Sequence, residues 1–171
     1  QWWRDVLGDT PDASNASPFV AALAACDFCV EDIAFLIDGR MSALERTQMT
    51  TLEELEAEAT IVGPAFMRLS LEVLGLSPAV CPAWLRDAGI GFELVRLAHD
   101  GATEVVMERA SSWLETARAG FNASPRRERA KLLPAFLIIG LTARFARAWP
   151  MRESLLRHQI RLLLSAFRGK I

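Results

Sequence analysis

Tyrosine is absent from the 171 residues, and there are only two histidines, three cysteines and two lysines. Each scarcity excludes something. A four-ligand zinc site would have to draw on Cys26, Cys29, Cys81, His99 and His158, and only Cys26 and Cys29 are close in sequence. An odd number of cysteines does not make a disulfide framework and favours a reducing compartment. The longest apolar run, residues 132–141, contains Pro134 and is far shorter than the roughly 20 residues a membrane-crossing helix needs. No Walker loop, GxGxxG, GxSxG or HExxH pattern occurs. Period-2 alternation of apolar residues is almost lacking, which argues against sheets.

What is present is apolar content, 51% of residues, in helical rather than strand spacing. The reading is all-α: a single domain over residues 1–171, built as one bundle of seven to eight helices. The chain starts with Gln1 rather than Met, which predicts a processed or partial product with helices missing upstream.

The strongest local signal is at Thr51. Thr51 with Glu54 makes a capping box, and Glu53, Glu54 and Glu56 stand where the helix dipole favours acids. Leu52, Leu55, Ala59, Val62, Phe66, Leu69 and Val73 then recur on one face, and Gly75 and Pro78 mark the end. Pro64 falls inside and costs a backbone hydrogen bond. Further helices are predicted over residues 1–7, 18–26, 30–40, 82–99, 103–119, 126–148 and 152–167, and Pro134 leaves open whether the one over 126–148 is one piece or two. Gly101 and Gly120 read as stops, and Ser124 as a cap with Pro125 at the first helical position. Residues 9–18 (DTPDASNASP) read as a turn-rich loop.

Charge is divided along the chain. Residues 1–125 hold 8 basic and 19 acidic residues, whereas residues 126–171 hold 11 basic and 2 acidic ones. Either the two parts pair with each other, or the basic end faces an acidic partner. Arg152, Arg157, Arg161 and Arg168 interleave with Leu155, Leu156, Ile160, Leu163, Leu164 and Phe167, so this segment reads as a basic amphipathic helix. These four arginines are the candidate partner-binding residues. A docked terminal helix, an anionic membrane surface, RNA phosphates and an acidic protein all fit that pattern. Cys26 and Cys29, spaced i, i+3, read as sharing one helix face and as buried packing residues, and His99 with Asp100 as the end of a helix.

Several segments, in order, resemble the squalene/phytoene synthase family. Gln1-Trp2-Trp3-Arg4-Asp5 is similar to its WWRD segment, and Ile37-Asp38-Gly39-Arg40 to its I-[DE]-A-R. Thr51 to Ala57 come next, and then Leu69-Ser70-Leu71-Glu72-Val73-Leu74-Gly75, which is similar to its LxLexLG pattern. Ala88-Gly89-Ile90-Gly91-Phe92-Glu93-Leu94-Val95-Arg96 resembles its LGxAxxLxxxLR stretch, and Ala110 to Ala119 and Leu132 to Phe136 resemble its later helices. The resemblance implies an isoprenoid-synthase bundle. Enzymes of that family hold Mg²⁺ and a prenyl diphosphate between two aspartate-rich motifs. The first motif would lie upstream of Gln1. The second would place aspartates where this chain has Leu97 and Gly101, and the family tyrosine motif falls on Glu58.

The resemblance is nearest to the mitochondrial complex I assembly factor branch. It therefore implies a catalytically inactive protein of the mitochondrial matrix that needs no cofactor or metal. Its partners would be protein subunits of a large mitochondrial assembly, respiratory complex I first. Ribosomal RNA of the mitochondrial ribosome and a peripheral membrane surface are the alternatives, and DNA is not expected. The opposing reading is an active Mg²⁺-dependent prenyl-diphosphate synthase, with Asp87, Glu93 and Asp100 as ligands and Arg96 on the diphosphate.

Overall fold

The computed structural model describes Pro18 and residues 29–45, 51–77, 81–98 and 104–148. These residues form an all-α bundle of five helices: α1 (Val30–Glu45), α2 (Leu52–Val73), α3 (Ala83–Ala98), α4 (Glu104–Ala123) and α5 (Arg126–Ala148). The helices expected over 1–7, 18–26 and 152–167, and the loop over 9–18, fall outside this description save for Pro18.

The centre of the bundle is α3. Eleven of its sixteen residues are buried, from Trp84 to Ala98, because α2 and α4 pack along it and α5 reaches it too. A helix covered on most sides has to be apolar over its covered faces, and among the eleven buried residues of α3 Glu93 is the one charged exception. In its turn α1 packs on α2.

The capping box predicted at Thr51 forms. The Glu54 N–H donates to Thr51 Oγ1 (3.3 Å) and the Thr51 N–H donates to Glu54 Oε2 (3.1 Å). At the other end of α2, Gly75 adopts φ +68°, a conformation that costs other residues dearly. Its N–H donates to Glu72 O (2.8 Å), and the Leu76 N–H donates to Leu71 O (2.9 Å). This is the Schellman pairing, which also turns Leu76 back towards Leu71.

The crossing of α2 and α3 is set by two glycines. A Cβ on Gly63 would lie 2.3 Å from Gly89 C and O, and one on Gly89 would lie 2.3 Å from Gly63 O. Backbone meets backbone there, and only hydrogen side chains fit. Next along α2, Phe66 stacks on Phe92 of α3 at 4.7 Å. At the start of α3, Trp84 meets Phe121 of α4 (5.5 Å) and Phe136 of α5 (5.0 Å) edge-on, and the two phenylalanines stack at 4.6 Å. Such pairs add about 0.5–1.5 kcal/mol each beyond their buried area.

Three local expectations need correction, and the question left open at Pro134 is answered. α1 continues past Arg40 to Glu45. Gly120 does not stop α4; it lies inside the helix because Trp84 presses on it, and a Cβ there would be 2.5 Å from Trp84 Cβ. Ser124 does not cap α5. The Arg129 N–H donates to Pro125 O (3.0 Å), so Pro125 takes the cap position. The Ser124 hydroxyl instead donates to Gly120 O (3.1 Å) and accepts from Trp84 Nε1 (3.1 Å). Finally, α5 is one piece through Pro134, which faces solvent together with Ala130, so water reaches the carbonyl that loses its partner.

Candidate functional site

The described residues bury charge at the junction of α1, α2 and α3. Asp32 on α1 is almost wholly buried. It accepts from Arg68 of α2 in a fork, Nε to Oδ2 at 2.7 Å and Nη2 to Oδ1. This partner raises the pKa of Arg68 further, so the guanidinium stays charged. One turn on, Glu72 Oε2 accepts the N–H of Cys29 (3.1 Å), which fixes how the chain enters α1. Asp32 and Gly39 share the α1 face turned to α2, with Gly39 against Val62.

Farther along α1, Arg40 donates to Glu93 Oε1 of α3 (3.1 Å). Arg96, one turn after Glu93, donates to the same oxygen from Nε (2.8 Å) and Nη2 (2.6 Å). The Glu93 side chain is 0% exposed, while those of Arg40 and Arg96 are 42% and 25% exposed. The carboxylate is therefore sealed in the core and the two arginines reach it from the surface on apolar stems. Its other oxygen, Oε2, is buried and makes no hydrogen bond among the described residues. Burial pushes the Glu93 pKa up to about 7; the Arg40 charge opposes this and Glu58 adds to it. One carboxylate oxygen shared by two guanidinium groups, at the meeting of two helices, is an electrostatic tie and a proton site in one.

A second charged tie is more exposed. Glu56 of α2 accepts from Trp113 Nε1 (2.7 Å) and from Arg109 Nε (2.9 and 3.1 Å), both on α4. Each of the four described ion pairs joins two residues before position 125. The pairing of the acidic body with the basic end is thus not what these four pairs do. On α5, Arg126, Arg127, Lys131 and Arg144 are exposed.

The other sequence candidates divide. Arg152, Arg157, Arg161 and Arg168 lie outside the described residues, as do Cys26, His99, Asp100, Gly101 and His158. Cys29 precedes α1 and is only half-buried, so it is not the buried helical residue expected; its carbonyl accepts the first bond of α1 from Ile33 (3.3 Å). Its thiol donates to Glu31 Oε2 (3.2 Å). Cys81 is half-buried before α3, and burial pushes its thiol up. Leu97 is buried in the core. Burial also raises Asp87, against the pull of Arg86. Asp87 and Glu93 are six residues apart on one helix and so point about 120° apart around it. Among the described residues no three His, Cys, Asp or Glu side chains converge where a metal ion could be held, and no helix is long and apolar enough to cross a membrane.

Sequence reasoning named Arg40, Glu93 and Arg96 separately and missed that they meet. It missed the Asp32–Arg68 pair altogether. One signal was there to be read: Glu93 sits inside the otherwise apolar stretch Ile90 to Val95, where a charged side chain needs a partner to be buried.

The described chain is defined by its all-α bundle and by this internal carboxylate–arginine junction. No family model matches it, and neither a curated protein nor a solved structure shows significant similarity to it.

Proposed function

We propose that the chain is a non-catalytic helical scaffold of the squalene/phytoene synthase type that acts by protein contact, as an assembly or accessory factor in the mitochondrial matrix. Respiratory complex I is the client that the sequence resemblance favours. The observation that carries the reading is the state of Glu93. On the enzyme reading this carboxylate would hold a divalent cation. Instead two guanidinium groups surround Oε1, and cations in that position repel a third. The side chain is also closed to solvent, so no substrate reaches its proton. The charge in this core therefore serves to fix α1 on α3.

A second reading has support of its own. The exposed Arg126, Arg127, Lys131 and Arg144 give α5 a basic surface suited to RNA phosphates, as in a mitochondrial ribosomal partner. One experiment separates the readings. The tagged full chain is recovered from its own mitochondria at low and at high salt. Complex I subunits retained at high salt support the scaffold. Ribosomal subunits that dissociate as salt rises support the RNA reading, because phosphate contacts release counterions. Mg²⁺-dependent turnover of a prenyl diphosphate by the purified chain overturns both.

A further inference from the structure

The end of α2 and the start of α5 enclose a groove of about 570 Å³. Its volume lies within the roughly 300–1000 Å³ of small-ligand sites. The walls are made by two local devices already described. The Schellman turn at Gly75 folds Leu76 back beside Leu71, and from α5 come Leu132 and, on the same face, Arg127, Glu128 and Lys131. Leu71 and Leu132 are buried and form an apolar floor. Arg127 and Lys131 stand exposed at the rim and make no ion pair among the described residues. Arg127 is in the first turn of α5, where the helix dipole disfavours cations, so the helix end does not account for it.

We propose that this groove binds a small single-chain amphiphile with one negative charge, of the fatty-acid class. The apolar chain lies on Leu71, Leu76 and Leu132, and the carboxylate meets Arg127 and Lys131. The charge count chooses the head group. Arg127 and Lys131 against Glu128 leave one net positive charge at the rim, which a monoanion balances. A phosphate or diphosphate head would bring its extra charge up to Glu128. The site is separate from the Glu93 junction and does not depend on the scaffold reading.

Calorimetric titration of the full chain with decanoate, below its micelle concentration, tests this. The expected result is saturable binding of one decanoate per chain, with neutral decanol binding more weakly. Lys131→Glu and Arg127→Glu each weaken decanoate by about tenfold or more, the scale of a lost charge-assisted hydrogen bond, and leave decanol unchanged. Both positions are exposed, so the fold survives, as an unaltered circular dichroism spectrum will show. Ser77→Trp, at the groove mouth, abolishes binding of both. The proposal is overturned by absence of saturable binding, by equal affinity for decanol, or by indifference to the charge reversals. Tighter binding of decyl phosphate than of decanoate also overturns it. So does a concentration-dependent dimer that Ser77→Trp breaks, which would assign the groove to a second copy of the chain.

Discussion

Replacing Glu93 by glutamine tests the buried junction through the pH dependence of stability. The neutral acid is the form that the fold favours, because burial penalises the carboxylate more than Arg40 rewards it. Its pKa is raised from 4.5 to about 7. The stabilisation that comes from the folded state's extra proton is therefore complete below pH 4.5 and is lost as the pH rises to about 7. Above that it stays constant. At about 1.4 kcal/mol per pH unit, the interval corresponds to a loss of about 3 kcal/mol. That is a large part of the 5–15 kcal/mol that holds a typical domain together.

Glutamine keeps the oxygen that accepts from Arg40 and Arg96 and cannot ionise. Its NH₂ replaces Oε2, and burying that donor costs about 1–3 kcal/mol if nothing accepts from it. This cost shifts the whole curve but does not depend on pH. The slope, not the offset, is the readout. Urea unfolding of both proteins between pH 4.5 and 8 should show wild-type stability falling by about 3 kcal/mol relative to Glu93→Gln. Parallel curves would refute the reasoning. If the measurement is extended below pH 4.5, a relative change of the opposite sign there would mean that the two arginines outweigh burial and hold the folded-state pKa below 4.5.

Gly89→Ala places a Cβ 2.3 Å from Gly63 O, a backbone atom that cannot step aside; the α2–α3 crossing must open, at about 1–3 kcal/mol or more, read as a fall in urea midpoint. Phe121→Ala removes a ring stacked on Phe136 and met edge-on by Trp84. It should cost about 3–5 kcal/mol and broaden the near-ultraviolet tryptophan dichroism. Thr51→Ala removes one half of the capping box and should cost about 1 kcal/mol, with faster amide exchange confined to the first turn of α2. Arg109→Ala breaks a pair whose arginine side chain is 50% exposed. It should cost less than about 1 kcal/mol in the same urea assay, and less still at high salt.

How far the sequence reached depends on the range of the interaction. It determined the all-α class, the start of α2 at Thr51 and its end at Gly75. A capping box spans three residues and a helical stripe repeats within four, so the amino acids that decide them are neighbours in the chain. It also carried an unused signal at Glu93, an acid inside an apolar stretch. Tertiary packing decided the rest. Arg40 and Glu93 are 53 residues apart, and Asp32 and Arg68 are 36 apart, so their pairing exists only because α1 settles against α2 and α3. Gly120 looked like a helix stop and is a contact for Trp84, because a glycine that makes room for a neighbour and one that ends a helix are the same letter in sequence. Gly63 and Gly89 acquire their meaning from each other, as the place where two backbones touch. The groove beside Leu71 likewise joins a turn at position 75 to a helix that starts at 126, and no local pattern brings those two together.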